Sequence, residues 1–332
     1  MDYKIMRLRC LAIVIVVLGH SIILYDPQWG IYRTSYTVDS LMYMKRVINT
    51  FQMPLFLFLS GFCFFYSVKK HGYKGIKSWG IGLAGKMKRL LVPFSIIAVF
   101  WMIPIRKICN YGAWRNLNYF QILKQVFFGL DSGHLWFLPT LFGIFVFSFI
   151  VFPHVNNKKM DCLILLITFL VSLIAYKFPS FLFFNNIVSS LYWFCLGFEV
   201  CKYKHDIEKK IPLKINYSII LLSIFMIVLK VCVYGGEGLA FMILQKIVVT
   251  FLILAVYNCV PKRKCSNICM KISDVSMGIY LLHSPLVYFT YAYYANGVPI
   301  IVIFVNFVVD GLVAFLLTYI ITNSKMKILL GY

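Results

Sequence analysis

Apolar runs long enough to cross a lipid bilayer recur from one end of this chain to the other. A helix needs about 20 mostly apolar residues to span the hydrocarbon. We place ten such spans, at residues 10–25, 47–67, 90–105, 135–153, 162–178, 187–201, 215–234, 239–259, 272–294 and 300–322. Only 13% of the residues are charged, whereas a soluble domain carries about 25%. The sequence therefore predicts an all-α polytopic membrane protein of about ten transmembrane helices, forming a single integral-membrane domain over residues 1–332.

The basic residues predict how these spans are oriented. Most of the 33 Lys and Arg residues precede the first span or lie in every second loop after it. Lys and Arg collect in cytoplasmic loops, so we expect both termini in the cytoplasm. This arrangement explains the net charge of +22 without nucleic acid as a partner. We expect the protein to lie in a cell membrane, specifically a bacterial inner or plasma membrane, with membrane lipid around its helices.

The cysteines give no sign of a metal site or a disulfide framework. Most of the ten lie scattered inside apolar runs, where a thiol behaves as a small hydrophobic group. Cys265 and Cys269 are close in sequence but have no histidine near them. We therefore expect no bound metal.

Arg9 and His20 bracket an uncharged, largely apolar segment of the first span. Eleven helical steps turn the chain by three turns plus about 20°, so both side chains share one face, roughly 16 Å apart. An ionisable group deep in a membrane is usually functional. His20 is a candidate general base, and Arg9 a candidate ligand for an anionic group such as a phosphate. The alternative is that Arg9 reaches the membrane surface and His20 bonds to a neighbouring helix.

His283 lies at a similar depth in the ninth span. Ser276 and Tyr280 precede it by seven and three residues on one broad helix face. Pro285 follows and can kink the helix, which would open backbone groups to a cavity. His283 is either a second base or a structural polar contact, and Tyr280 is a candidate substrate contact.

Asp310 lies in the middle of the tenth span. A lone carboxylate there must be protonated, paired with a cation or in contact with water. It is a candidate for orienting one of the histidines in catalysis. The alternative is a hydrogen bond that packs two helices together.

Two segments near the cytoplasmic side also have two interpretations each. Ser60 and Gly61 interrupt the second span, and they either allow close helix packing or line a substrate cavity. Lys86 and Arg89 are three residues apart and thus neighbours on a helix. They are either ordinary membrane anchors or a clamp for phosphates.

The outer side carries aromatic residues and one more histidine. His134 and Trp136 mark the outer end of the fourth span and are candidates for binding an acceptor, although a histidine at an interface need not be functional. The loops at 26–46 and 106–134 contain several Trp and Tyr residues. These form either an interfacial aromatic belt or a platform on which sugar rings stack.

Five segments together give the chain a family resemblance. In sequence order they are Arg9-x10-His20, MPLFLFLSGF at 53–62, KMKRLLVPF at 86–94, HLWFLPTLF at 134–142 and SMGIYLLHSPL at 276–286. The chain resembles the acyltransferase 3 family of integral-membrane acyltransferases, in which such segments occur in this order.

The resemblance implies transfer of an acyl group, commonly acetyl or succinyl, to a carbohydrate hydroxyl. The donor would be acyl-CoA, with acetyl-CoA favoured, and no metal would be needed. Arg9 and His20 match the essential pair of the family. Lys86 and Arg89 match its basic motif, although Lys86 stands where arginine is frequent, which keeps the charge and loses the bidentate fork.

The acceptor implied by the resemblance is a surface polysaccharide or its lipid-linked precursor, with polysaccharide-synthesis machinery as a further partner. The rival interpretation is a transporter that moves a polysaccharide or an acyl carrier, since ionisable residues within membranes also mark transport pathways. Internal symmetry would favour that rival, and the sequence has none that we detect.

Overall fold

Helices account for all the regular secondary structure that the computed structural model describes. It describes residues 2–73, 75–152, 157–208, 212–234 and 238–332, and no strand occurs among them. The α-helices in chain order are α1 (Tyr3–Ser21), α2 (Asp39–His71), α3 (Ile76–Ile97), α4 (Ile103–Ile108), α5 (Tyr119–Phe127), α6 (Phe137–Val151), α7 (Lys158–Leu173), α8 (Phe184–Lys202), α9 (Lys204–Glu208), α10 (Leu213–Leu229), α11 (Leu239–Cys259), α12 (Asn267–Asp274), α13 (Ser276–Tyr293), α14 (Pro299–Phe304) and α15 (Asp310–Thr322).

Seven helical stretches in the described parts of the chain are long and apolar enough to cross a membrane. They run over Asp39–His71, Ile76–Ile108, Gly133–Val151, Phe181–Lys202, Leu213–Cys232, Leu239–Cys259 and Pro299–Thr322. The multi-pass, all-helical fold is therefore confirmed. The first, fifth and ninth predicted spans correspond to α1, α7 and α13, which are not among these seven. The count of ten and the cytoplasmic termini stay predictions.

Several helices extend beyond the apolar runs from which we predicted them. α2 begins at Asp39 rather than at 47, so the outer loop before it is shorter than expected. Arg46 Nη2 lies 3.0 Å from Asp26 Oδ1, and this ion pair ties the polar first turns of α2 to the loop. α3 likewise begins at Ile76 rather than at 90. An apolar window cannot detect a helix that continues through charged residues.

Other predicted spans contain irregular turns. The predicted ninth span divides at Val275 into α12 and α13. π-helical segments join α3 to α4 at Ala98–Met102 and α14 to α15 at Val305–Val309. The predicted eighth span coincides with α11 at both ends, whereas the end of the fourth, residue 153, lies outside the described residues.

Two glycines bring α2 and α8 into direct backbone contact. A Cβ added to Gly61 would overlap the carbonyl oxygen of Phe194, and one added to Gly197 would overlap that of Phe58. Only glycine permits this approach, as in the small-residue interfaces common in membranes. The packing interpretation of Gly61 fits this contact. The crossing fixes the middle of α2, which carries Ser60 and Cys63 on the wall of the site described next.

Candidate active site

The residues expected to hold a phosphate line a single cavity at the basic end of the helices. The cavity has a volume of about 380 Å³, and Arg9, Lys86 and Arg89 all lie on its wall. They come from α1 and α3, far apart in sequence, and only the packing of the helices unites them. Asp274 is the one acidic residue on the described wall, so positive charge predominates there.

Each of the three cations has a defined setting. Arg9 Nη2 donates to Cys63 Sγ at 3.0 Å, and Arg89 Nε donates to the carbonyl oxygen of Gly331 at 3.2 Å. Lys86 Nζ lies 4.3 Å from the centre of the Phe145 ring, within range of a cation–π interaction. None of these partners is a carboxylate, so the three charges are available to an anion.

The remaining wall of the cavity is aromatic, aliphatic or neutral polar. Ser60 lines it, which fits the cavity interpretation of that residue, although its hydroxyl donates to the Phe56 carbonyl oxygen at 2.9 Å. Tyr332 also lines it, and burial raises the pKa of its phenol to about 12, so it is neutral at physiological pH. The wall thus combines an anion-binding side with an uncharged side.

Tyr280 lies between this cavity and a group of histidines. Its ring lines the cavity together with Phe56 and Phe137, and its hydroxyl donates to the backbone carbonyl of His134. His20 is not among the residues that line the cavity. The three aromatic rings therefore form a floor that separates the cations from the histidines.

Three histidines that are remote in sequence meet beyond this floor. The ring centres of His20 and His283 are 4.9 Å apart. The ring of His134 lies 6.4 Å from that of His20 and 6.0 Å from that of His283. His134 and His283 are buried, whereas His20 keeps part of its surface accessible. The sequence suggested each histidine separately but not their meeting.

The hydrogen bonds indicate which nitrogen of His20 is free to act as a base. His283 Nδ1 lies 2.8 Å from the Ile279 carbonyl oxygen, so it must carry the hydrogen and donate. In the neutral ring, His283 Nε2 then accepts, and it lies 3.2 Å from His20 Nδ1. His20 Nδ1 also lies 3.0 Å from the Val16 carbonyl oxygen, so it too is the protonated nitrogen. This leaves a lone pair on His20 Nε2, with no hydrogen-bond partner among the described residues.

His134 is held by a carbonyl group that a proline leaves free. Pro285 has no backbone N–H, so the carbonyl of Leu281, four residues earlier, lacks its helical partner. His134 Nε2 donates to that oxygen at 3.1 Å. α13 continues through Pro285 to Tyr293, and the freed carbonyl bonds to His134 rather than facing an open cavity.

Two candidate residues lie apart from these groups. Asp310 forms no hydrogen bond or ion pair with the histidines in the described structure, and its Oδ2 is buried without a partner. Trp136 is half-buried, packs edge-on against Phe137 at 6.3 Å between ring centres and is not among the cavity residues. The structure does not bring either side chain to the histidines or to the cations.

Arg106 is a buried ionic centre to which the sequence analysis gives no role. Its Nη1 lies 3.2 Å from Asp131 Oδ1, and its Nη2 donates to the Tyr288 hydroxyl at 2.9 Å. The rings of Tyr111 and Trp114 lie 4.1 and 4.7 Å from its Cζ. These two loop aromatics therefore enclose an arginine, which fits neither a lipid belt nor a sugar platform.

Arg106 also packs against the turn before α6 that carries His134. A Cβ at Gly133 would overlap Arg106 Nη2, and Gly133 has a φ of +53° that favours glycine. Arg106 falls near the end of the predicted third span, where a basic residue resembles a membrane anchor. Its proximity to Asp131 arises only in the folded chain, so sequence spacing gave no signal for the pair.

A protein-family model described as an acyltransferase domain matches residues 2–322, essentially the whole chain. No curated protein and no solved structure matches it. Among the described residues, no group of three or more His, Cys, Asp or Glu side chains is arranged to hold a metal ion. The family match spans every helix from α1 to α15, and so it includes the three histidines and all of the cavity wall except Gly331 and Tyr332.

Proposed function

The chain belongs to the acyltransferase 3 family, and from that premise we propose that it transfers an acyl group from cytoplasmic acyl-CoA to a hydroxyl of a surface polysaccharide or its lipid-linked precursor. That it is a multi-pass membrane acyltransferase follows from the family and the apolar helices. The donor, the acceptor and the roles of the residues are the proposal.

One observation carries the proposal: three cations line a cavity whose floor touches the histidine group. Arg9, Lys86 and Arg89 can hold the phosphates of coenzyme A through charge-assisted hydrogen bonds. The apolar wall beyond them suits the uncharged arm that ends in the thioester. Acetyl-CoA is the donor we favour, with succinyl-CoA as the second choice.

His20 is the base that we propose for the acceptor hydroxyl. Its Nε2 has a free lone pair, and its ring keeps accessible surface while the other two imidazoles are buried. His283 acts as a positioning residue, because its contact with His20 Nδ1 fixes which nitrogen is basic. General-base assistance of this kind accelerates a reaction by about 10²–10⁴-fold.

The donor must pass the floor of the cavity before it can react. Tyr280, with Phe56 and Phe137, separates the cations from His20. We propose that the Tyr280 side chain moves aside when the donor binds, so that the thioester reaches His20 Nε2. The acceptor hydroxyl arrives from the outer side, where His20 lies near the end of α1.

Mass spectrometry of surface glycans tests this function directly. Glycans from cells with the protein are expected to carry one more acyl group per modified sugar than glycans from cells without it. Purified protein in lipid nanodiscs is then expected to release free thiol from acetyl-CoA in the presence of the unmodified glycan. A transporter would move glycan or carrier across a vesicle membrane without releasing thiol, and that result would contradict the proposal.

Removing the charge of Lys86 is expected to weaken donor binding. A hydrogen bond to a charged group contributes about 1.5–3 kcal/mol, so Lys86→Gln is expected to raise the KM for acetyl-CoA about 10- to 150-fold, with little change in kcat. Steady-state kinetics with varied acetyl-CoA provide the measurement.

Lys88→Gln is the matched control for this substitution. Lys88 lies two residues further along α3, is exposed and does not line the cavity. It is expected to leave the KM unchanged. Equal effects of the two substitutions would show that general surface charge, rather than the cavity, attracts the donor.

A further inference from the structure

A row of polar side chains on α2 packs against the end of α1 that carries His20. Lys45, Asn49 and Gln52 are spaced four and three residues apart, so they share one side of the helix. Lys45 is only 3% exposed and Gln52 only 7%. Burying an ammonium group and an amide is costly, so a role that offsets this cost is expected.

Gly19 creates the space that these two polar groups enter. A Cβ at Gly19 would lie 2.9 Å from Gln52 Oε1 and 3.6 Å from Lys45 Nζ. The two groups therefore reach the backbone directly beside His20. Lys45 is also near enough for its charge to act on the imidazoles of both His20 and His283.

Within the described residues, both polar side chains have bonding capacity that is not used. Gln52 Nε2 donates to Asn49 Oδ1 at 2.9 Å, but Gln52 Oε1 is buried and has no hydrogen-bond partner. Lys45 has no hydrogen bond and no ion pair within the described ranges, and the nearby carboxylate of Asp26 pairs with Arg46. A buried ammonium group that makes no ion pair and lies close to a candidate base is suited to stabilising negative charge that forms during a reaction.

We propose that Lys45 is a further catalytic residue, whose ammonium group stabilises the negative charge that develops on the thioester carbonyl oxygen during acyl transfer. This inference rests on the proposed function. It adds to that function the electrostatic partner of His20, which neither the motifs nor the cation-lined cavity supplies. Gln52 Oε1 offers an acceptor for a second hydroxyl of the carbohydrate next to it.

The chemistry balances with these two groups alone. The acceptor O–H gives its proton to His20 Nε2 while its oxygen bonds to the carbonyl carbon of the thioester. The π electrons of the carbonyl move onto its oxygen, beside Lys45 Nζ. When the carbonyl reforms, the carbon–sulfur bond breaks, and the sulfur takes the proton from the His20 imidazolium. The products are an ester and the free thiol of coenzyme A.

Lys45→Met tests the inference, because methionine keeps the length and the apolar stem and removes the charge. Losing one donor to an oxyanion lowers kcat by about 10²–10³-fold in characterised enzymes. We expect a loss of that size in thiol release from acetyl-CoA with the unmodified glycan. Calorimetry is expected to show unchanged affinity for coenzyme A, because Lys45 does not line the donor cavity.

Two further variants keep the test decisive. Lys124→Met removes an exposed outer charge on α5 and is expected to retain full activity. Lys45→Arg keeps the positive charge and is expected to recover at least part of the kcat that Lys45→Met loses. This comparison remains informative if Lys45→Met lowers the melting temperature of the protein. A kcat of Lys45→Met within threefold of wild type, or a loss that Lys45→Arg does not reduce at all, would overturn the inference.

The outcomes separate this inference from the function on which it rests. A wild-type protein that neither binds coenzyme A nor transfers an acyl group overturns the proposed function and the role of Lys45 with it. A wild-type protein that transfers acyl groups, together with an equally active Lys45→Met variant, overturns the role of Lys45 alone.

Discussion

Replacing His20 with alanine is expected to lower the rate of acyl transfer by about 10²–10⁴-fold without unfolding the protein. The substitution removes the only one of the three clustered imidazoles whose free nitrogen lies on a partly accessible ring. The affinity for coenzyme A is expected to stay unchanged, since His20 does not line the cavity with the cations. Single-turnover thiol release and calorimetric binding of coenzyme A measure the two effects separately.

His71→Ala is the control for that experiment. His71 is exposed at the C-terminal end of α2, and its Nδ1 bonds to the Ser67 carbonyl oxygen. This variant is expected to transfer acyl groups at the wild-type rate. A folded His20→Ala variant with near-wild-type turnover would exclude His20 as the base.

Introducing a methyl group at Gly61 is expected to destabilise the protein by about 1–3 kcal/mol, toward the upper end of the usual overpacking range. The new Cβ would overlap the Phe194 carbonyl oxygen, which belongs to a helix backbone and cannot rotate away. α2 and α8 would have to separate along their crossing. Thermal unfolding in detergent is expected to show a lower melting temperature for Gly61→Ala.

Gly80→Ala gives the opposite expectation for the same chemical change. Gly80 lies in α3 with no other group within 4 Å of an added Cβ. Alanine favours a helix interior over glycine by about 0.5–1 kcal/mol, so this variant is expected to be as stable as wild type or slightly more stable. If both variants melted alike, the close crossing of α2 and α8 would not contribute to stability.

The apolar runs predicted the fold class because burial in lipid requires long stretches of uncharged residues. They predicted α11 at both ends, since polar or turn-forming residues flank that run. They misplaced the start of α2, because Lys45 and Arg46 look like loop residues until Gly19 and Asp26 are placed beside them. A search for apolar runs does not detect polar helical turns that are stabilised by tertiary contacts.

The individual residues of the candidate site were predictable from the sequence, but their arrangement in space was not. The motifs pointed to the three cations and to each histidine, because ionisable groups at membrane depth are conspicuous in sequence. Nothing in the spacing of His20, His134 and His283 shows that they meet. The free carbonyl of Leu281 follows from Pro285, but its partner, His134, is set by the contact of the turn before α6 with α13.

For the polar residues outside the motifs, too, the sequence did not predict the contacts that form in the folded chain. Arg106 and Lys45 each occur near one end of a predicted span, where basic residues commonly serve as anchors. Their burial depends on Asp131 and Gly19, which lie 25 and 26 residues away in sequence. Asp310 is the opposite case. The sequence singled it out as a candidate, but it forms no bond to the histidines in the described structure.

The crossing at Gly61 and Gly197 has a consequence for how the protein can open. It joins α2 and α8 with no side-chain layer between them to deform, so the side of the cavity formed by Ser60 and Cys63 is stationary. The opposite side is α13, which carries Tyr280 and has lost one of its own hydrogen bonds at Pro285. We therefore expect a passage from the cations to the histidines to widen by displacement of α13 relative to α2.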